Sequence, residues 1–151
     1  KQKSRDNART PMQWNSEKHA GFSTAEPWIK VAPNYKEINV EKELKDPQSI
    51  LHHYRELIRL RKTYDIITYG KYEPLLEDHP RLWVYTRRLE GEALLVVNNF
   101  SDAETEFLLP EGLPFARWNS RVLISNYEDA PSDFRRILLR PYESVVFHFT
   151  R

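Results

Sequence analysis

The sequence contains no cysteine, only four glycines and only one methionine, and these scarcities exclude several classes of site. Without cysteine there is neither a disulfide framework nor a thiolate metal site. Four glycines in 151 residues leave no glycine-rich phosphate loop. The five histidines form no His-Glu-x-x-His pattern, and no EF-hand pattern occurs. The sequence therefore predicts no metal and no cofactor.

The chain also lacks an excess of charge of either sign and any long apolar run. Its 23 basic and 22 acidic residues give a net charge of +1. A surface that binds nucleic acid or anionic lipid needs a basic excess, and a membrane helix needs about 20 consecutive apolar residues. We therefore expect no nucleic-acid partner and no membrane partner, and the absence of cysteine fits the cytoplasm.

The length and the first residue of the chain indicate whether it is a whole protein or a part of one. With 151 residues and 40% apolar content, the chain is long enough for about one domain with a core. It begins at Lys1, and its only methionine is Met12. We expect it to be part of a larger polypeptide.

Residues 46–62 have the strongest helical pattern. Asp46 is a suitable N-cap, and Pro47 suits the first helical position. An apolar stripe follows at helical spacing, formed by Ile50, Leu51, Tyr54, Leu57 and Ile58. The pattern predicts a helix with one face packed on a partner.

From residue 66 onward, short apolar runs alternate with turns. The predicted strands are 68–76, 82–89, 93–100, 105–109, 121–126, 136–139 and 144–149. Glu90-Gly91 is typical of a hairpin turn, and Val145, Phe147 and Phe149 alternate as in a half-buried strand, which puts His148 at the surface or an edge. Seven strands at this spacing indicate an antiparallel sandwich.

Residues 4–14 read Ser-Arg-Asp-Asn-Ala-Arg-Thr-Pro-Met-Gln-Trp and have neither a helical nor a strand period. Pro11 fixes its own φ and favours an extended Thr10. We interpret the segment as an ordered polar loop. Such loops, when they carry planar donors like arginine, are common functional sites.

This loop and the segments after it resemble the oligo-1,6-glucosidase and α-glucosidase group of the α-amylase clan, glycoside hydrolase family 13. The matching segments, in order, are His19-Ala-Gly-Phe22, Glu26-Pro-Trp-Ile29, Pro33-Asn-Tyr35, Ile38-Asn-Val-Glu41, Asp46-Pro-Gln-Ser-Ile50, Tyr54, Leu57-Ile-Arg-Leu-Arg-Lys62 and Tyr69-Gly70. Beyond them the chain keeps Asn98-Asn-Phe-Ser101 and Leu139-Arg-Pro-Tyr-Glu143.

The resemblance implies an α+β chain in two parts. Residues 1–64 would be the C-terminal end of a (β/α)8 barrel, with the loop after strand 8 and helix 8. Residues 65–151 would be an antiparallel β-sandwich domain. The implied activity is that of a retaining, exo-acting α-glucosidase that hydrolyses terminal α-1,6 or α-1,4 glucosyl bonds of short oligosaccharides.

The same resemblance implies that this chain lacks the catalytic carboxylates. In the family the nucleophile is an aspartate, the acid/base is a glutamate, and a third carboxylate follows a histidine. Each lies in its own motif, and none of those motifs occurs here. We therefore expect no catalytic residue, no activity of the 151-residue chain alone, and the remaining N-terminal barrel portion as its partner.

By resemblance, Arg9 binds substrate at the subsite for the non-reducing glucose, beside an aspartate from the missing barrel portion. A guanidinium can neutralise such a carboxylate and donate further hydrogen bonds. Arg9 could instead tie the loop to the barrel rim. Arg5 and Asp6 could contribute, or could pair with each other or cap backbone. Trp14 could line the pocket entrance or pack under the loop.

Two alternative functions stay open. Trehalose-6-phosphate hydrolases and sucrose isomerases share the resemblance. From a different class, residues 66–151 could be a non-catalytic sandwich that binds sugar or another protein through Trp83, Tyr85 and Trp118. Against this, Trp83 could instead pack on the predicted helix.

Overall fold

A computed structural model describes residues 5–151, apart from the side chains of Arg5 and Asn7. The described chain divides into two compact units, one ending at Arg59 and one running from Leu60 to Arg151. The functional boundary expected between residues 64 and 65 stays a prediction.

The elements of the described chain follow in this order. The helices are α1 (Val40–Lys45), α2 (Ile50–Thr63) and α3 (Asp65–Tyr69). The strands are β1 (Lys71–Leu75), β2 (Leu82–Leu89), β3 (Glu92–Asn99), β4 (Thr105–Leu108), β5 (Asn119–Ser125), β6 (Arg136–Leu139) and β7 (Ser144–Thr150). Single 3-10 turns occupy Arg5–Ala8, Pro33–Lys36 and Pro114–Arg117, and Lys18–Gly21 forms a further turn in which His19, Ala20 and Gly21 have positive φ.

The start of α2 differs from the prediction, because Ser49 rather than Asp46 begins the helix. The Asp46 carboxylate accepts a hydrogen bond from the Gln48 amide at 2.9 Å, so Asp46 closes a turn between α1 and α2. The buried Ser49 hydroxyl accepts from the His52 amide at 3.4 Å and donates to the Glu43 carbonyl at 2.7 Å. Serine and aspartate are equally good caps, and the tertiary contact with Glu43 selects the serine.

The first unit buries very little of itself. Among its described residues only Pro11, Ala20, Asn39 and Ser49 are buried. The apolar stripe predicted on α2 is largely uncovered, with Ile50 82% exposed. An amphipathic helix gains most of its stability from packing of its apolar face, and the described residues leave this face of α2 largely uncovered.

The second unit is the predicted antiparallel sandwich. One sheet has five strands in the order β1-β2-β3-β7-β5, and β4 pairs with β6 in a second sheet. Their facing sides enclose an apolar core in which Phe107, Phe115, Leu139 and Phe149 are fully buried. The fold class predicted from the sequence is confirmed.

Alternation along the strands follows the predicted pattern. Val145, Phe147 and Phe149 of β7 all point into the core. β2 and β3 form the predicted hairpin, in which Glu90 has a φ of 37° and Gly91 a φ of 87°. Two consecutive residues with positive φ match the right-handed twist of the strands that they join.

The strand predicted at 68–76 is wrong at its start, because α3 occupies that region. Ile66 is fully buried, so packing overrides the β preference of the sequence Ile-Ile-Thr-Tyr. Gly70 ends α3, and its backbone lies close to the last turn of that helix. A Cβ at Gly70 would clash with the Ile66 carbonyl oxygen, so no other residue fits there without movement.

A buried ionic turn joins β6 to β7. Glu143 is only 2% exposed and accepts hydrogen bonds from the Arg140 amide at 2.8 Å and from two guanidinium nitrogens of Arg140 at 3.0 and 2.8 Å. Arg140 also pairs with Asp129 at 2.6 Å and stacks over the Tyr127 ring. The buried Asn99 side chain donates to the Arg140 carbonyl at 2.9 Å. The segments 98–101 and 139–143 therefore form one polar cluster.

His148 does not lie at the surface as predicted. It points away from the sandwich core, but that side is covered, and the ring is 4% exposed. The Tyr64 ring packs edge-on against it with 5.3 Å between centroids, and Arg121 is its neighbour on β5. Burial lowers the pKa of His148, while Glu92, whose carboxylate lies 3.4 Å from Nε2, opposes that shift.

We expect the stability of the chain to fall as the pH drops below about 6.5, the ordinary pKa of histidine. The unfolded chain then binds a proton that the buried His148 resists, so protonation favours unfolding until the folded pKa is passed. Urea unfolding at pH 5 and pH 7.5, for the natural chain and for His148→Leu, measures this. The substitution should remove part of the pH dependence in that interval; an unchanged dependence would contradict the assignment.

Candidate substrate-binding loop

Arg9 follows a 3-10 turn and lies on an exposed stretch of loop. Its amide donates to the Asp6 carbonyl at 2.9 Å, which closes the turn. Pro11, two residues later, is buried and anchors the loop. The Arg9 side chain is exposed, and no acidic residue in the described part of the chain pairs with its guanidinium. The anchored loop therefore presents an exposed arginine that pairs with no acidic residue in the described part of the chain.

One anchor of the loop is a left-handed turn at His19, Ala20 and Gly21. Their φ angles are 55°, 57° and 65°, a region that residues other than glycine seldom adopt. The buried Ala20 carbonyl accepts hydrogen bonds from the amides of Trp14 at 2.9 Å and Asn15 at 3.2 Å. Strained backbone of this kind persists when the surrounding structure fixes it. The hydrogen bonds from Trp14 and Asn15 to Ala20 hold the turn and connect the loop to it.

The second anchor is the segment that leads into α1. The Val40 amide donates to the Gln13 carbonyl at 2.9 Å, and the Glu41 amide donates to the Trp14 carbonyl at 3.0 Å. The Gln13 side chain donates to the Ile38 carbonyl. Gln13 therefore binds backbone, as the sequence predicted.

Asn39 holds this second anchor in place. Its side chain accepts from the Lys42 amide at 3.0 Å, which caps α1, and donates to the Tyr35 carbonyl at 2.9 Å. It is 3% exposed. The N-cap preference of asparagine was a signal that could have identified α1 from the sequence. Nothing in the sequence signals a left-handed Ala20.

An apolar cavity of about 590 Å³ lies beside the loop, within the first unit. It is lined by Thr10, Pro11, Met12, Gln13, Ile38, Asn39, Val40, Glu43, Ile50, Leu51 and Tyr54. Among the described lining residues Glu43 supplies one carboxylate, which accepts from the Leu51 amide at 3.3 Å. Glycoside hydrolysis requires two carboxylates about the scissile bond, so the described lining does not hold a complete hydrolytic site.

The structure describes the other predicted site residues in part. Asp6 is exposed, and its carbonyl accepts the hydrogen bond from the Arg9 amide. Trp14 is 49% exposed, and its backbone carries both anchors. The Arg5 side chain lies outside the described residues. The roles predicted for these four residues stay predictions.

Two features, a metal-ion site and a membrane-spanning helix, are both missing from the described residues. They contain no group of three or more histidine, aspartate or glutamate side chains arranged to hold a metal ion. None of their helices has both the length and the apolar character needed to cross a lipid bilayer.

The three aromatic residues of the alternative binding face do not share one surface. Trp83 is 58% exposed, and its ring lies 5.4 Å from that of Tyr85. Trp118 is partly buried against the sandwich core. A common sugar-binding platform of all three rings is therefore not formed.

Two family models match successive parts of the chain. Residues 1–70 match the catalytic domain of alpha-amylase, and residues 82–146 match the C-terminal domain of the alpha-amylase SusG. The first match ends at Gly70, directly before β1, so it includes the loop and all three helices.

Individual relatives align along nearly the whole chain. The oligo-1,6-glucosidase of Parageobacillus thermoglucosidasius is 49% identical over 96% of this chain and 26% of its own. The trehalose-6-phosphate hydrolase of Bacillus subtilis is 46% identical over 99% of this chain and 26% of its own. The crystal structure of the Bacillus licheniformis trehalose-6-phosphate hydrolase superposes with a TM-score of 0.94 at 51% identity, covering 99% of this chain and 27% of that one.

The chain thus spans about a quarter of the length of the relatives that it matches. Its first part corresponds to the end of their catalytic domain and its second to the domain that follows. The chain belongs to the α-amylase family, glycoside hydrolase family 13, and corresponds to a C-terminal part of the proteins of that family.

Proposed function

We propose that this chain is the C-terminal part of a retaining, exo-acting α-glucosidase. The complete enzyme would remove terminal α-glucosyl residues from short oligosaccharides by double displacement, with nucleophile and acid/base supplied by the remaining barrel portion. The observation that carries the proposal is the alignment of nearly the whole chain, at 46–49% identity, with an oligo-1,6-glucosidase and a trehalose-6-phosphate hydrolase.

In this proposal Arg9 is the residue of this chain that binds substrate. An acidic side chain that holds the distal hydroxyls of a terminal glucose must be neutralised when it is buried, and an arginine does this while donating hydrogen bonds in a fixed geometry. Two features support this role: the exposed guanidinium of Arg9, which pairs with no acidic residue among those described, and the double anchoring of the loop. Asp6, Arg5 and Trp14 would shape the rim.

We expect the 151-residue chain alone to hydrolyse no glucoside, and the complete polypeptide to be active. Initial rates on p-nitrophenyl α-glucoside and isomaltose measure both. Proton NMR of the first product should show α-glucose, because double displacement retains the anomeric configuration. A complete polypeptide that hydrolyses no α-glucoside, or that releases β-glucose first, would refute the proposed function.

Substrate preference among relatives is a separate question. An oligo-1,6-glucosidase and trehalose-6-phosphate hydrolases match this chain at similar identity. Rates of the complete enzyme on isomaltose, trehalose 6-phosphate and sucrose would separate hydrolase from isomerase and neutral from phosphorylated substrate. We place the enzyme in the cytoplasm, in keeping with its cysteine-free sequence.

A further inference from the structure

The side chain of Asn15 lies directly against the backbone of Gly21. The space beside the Gly21 Cα is filled by the Asn15 carboxamide, so that a Cβ at Gly21 would lie 2.6 Å from Oδ1 and 2.8 Å from Cγ of Asn15. Real Cβ atoms essentially never approach another heavy atom so closely. Gly21 is therefore required by this contact as well as by its φ of 65°.

Asn15 also closes the turn at residues 17–21 through hydrogen bonds. Its Oδ1 accepts from the Glu17 amide at 3.0 Å, and its own amide donates to the Ala20 carbonyl at 3.2 Å. The Glu17 carbonyl in turn accepts from the Ala20 amide at 2.9 Å. Asparagine is suited to this role because its short side chain can accept from the backbone two residues further on. This one residue thus binds Glu17 through its side chain and Ala20 through its backbone.

The turn in its place fixes the part of the chain that leads to Arg9. The Ala20 carbonyl accepts from the Trp14 amide at 2.9 Å, and the Trp14 carbonyl accepts from the Glu41 amide at 3.0 Å. Trp14 is therefore held at both of its backbone polar groups. Between it and Arg9 lies the buried Pro11, whose ring fixes its φ. A movement of the turn would shift Trp14 and change the direction in which residues 9–11 extend from it.

The position of Arg9 matters because a guanidinium donates its hydrogen bonds in a fixed fork. A misplacement of about 1 Å, caused by a substitution far from the reacting atoms, can lower a rate about a hundredfold. Asn15 can therefore influence substrate binding without touching the substrate.

We infer that Asn15 is a positioning residue for substrate binding: its carboxamide clamps the turn at residues 17–21 and thereby fixes the loop that carries Arg9. The inference rests on the substrate-binding role proposed for Arg9. It adds a second residue of this chain, at the base of the loop, on which the affinity for the glucosyl group depends.

Three substitutions in the complete enzyme test the clamp. Asn15→Leu keeps the size of the side chain but removes the acceptor for the Glu17 amide, and should lower kcat/KM on isomaltose about tenfold. Asn15→Asp keeps an acceptor oxygen and should recover most of that loss. Ser16→Ala, at the exposed neighbouring residue, is the matched control and should stay within about twofold of the parent.

A double-mutant cycle with Arg9→Ala gives a readout that a merely structural role would not produce. If Asn15 acts through Arg9, Asn15→Leu should lower kcat/KM by less than about twofold once Arg9 is alanine. A residue that only stabilises the fold would lower kcat/KM by the same factor in both backgrounds. Should Asn15→Leu fail to fold, Asn15→Ser takes its place in the same cycle.

Hydrogen–deuterium exchange with mass spectrometry tests the clamp without any activity measurement. In the complete polypeptide, peptides that cover residues 13–21 should exchange about tenfold faster in Asn15→Leu than in the parent, because the Glu17 amide loses its acceptor and the turn loosens. Peptides of the β2–β3 hairpin serve as the internal control and should exchange equally in both.

Normal turnover by Asn15→Leu, an equal loss in both backgrounds, or unchanged exchange of residues 13–21 would each overturn the inference. Normal turnover by Arg9→Ala would refute the role of Arg9 and this inference together. A parent enzyme that hydrolyses no glucoside would refute the proposed function, and the exchange measurement would still decide whether Asn15 clamps the turn.

Discussion

Replacing Arg9 with alanine in the complete enzyme should lower kcat/KM about thirtyfold or more. If Arg9 neutralises a buried carboxylate of the glucose pocket, its removal leaves that carboxylate unpaired, which typically costs about 2–5 kcal/mol. Arg9→Lys should recover only part of the loss, because an ammonium group cannot reproduce the forked geometry of a guanidinium. Steady-state kinetics on isomaltose measure the effect.

The matched control is Arg55→Ala, which removes an exposed arginine from α2 in the same unit and should leave kcat/KM within about twofold. Melting temperatures of both variants should stay within a few degrees of the parent, since Arg9 makes no ion pair in the described chain. Normal turnover by Arg9→Ala would show that the residue has no part in substrate binding.

Replacing Glu143 with alanine should lower the free energy of unfolding by about 1.5–3 kcal/mol, the usual range for hydrogen bonds to charged groups, because Arg140 is 30% exposed and keeps its pairing with Asp129. Glu143 is 2% exposed and holds Arg140 through three hydrogen bonds. Urea unfolding, followed by tryptophan fluorescence, measures the change, because the sandwich contains Trp83 and Trp118.

Glu106 offers a matched control, since it also pairs with an arginine, Arg136, at 2.7 Å, but with both side chains substantially exposed. Glu106→Ala should cost no more than about 1 kcal/mol. Similar losses for both variants would mean that burial adds nothing to the Glu143 pair.

The Glu143–Arg140 pair also makes the stability of the fold depend on pH in the acid range. Burial alone would raise the pKa of Glu143, but hydrogen bonds and charge from Arg140 outweigh it and hold the pKa below its ordinary value of 4.5. The folded chain therefore releases this proton more readily than the unfolded chain. The stabilisation is present above pH 4.5 and is lost as the pH falls through the folded pKa.

The sandwich could be predicted from the sequence because alternation and turn residues are local signals. β2 and β6 begin and end where they were predicted, and the Glu90-Gly91 turn specifies its hairpin. Long-range packing explains the errors. His148 does point away from the core, as alternation requires, but Tyr64 covers it, and no local pattern reveals that contact.

The candidate site stays a prediction. The unusual composition of residues 4–14 and the resemblance point to Arg9, because both are properties of the segment itself. The carboxylate proposed to pair with Arg9 would come from outside these 151 residues, so neither the sequence nor the fold of this chain can test it. The left-handed Ala20 was not predictable, because its strain is imposed by hydrogen bonds from Trp14 and Asn15.

The two anchors have a consequence for redesign. They hold the loop from Gln13 onward, through Ala20 on one side and residues 38–41 on the other, and the buried Pro11 lies just before them. Residues 8–10 before Pro11 are exposed. If the loop binds sugar as proposed, substitutions at Ala8 and Thr10 could change sugar preference while Arg9, Pro11 and residues 13–41 are left untouched.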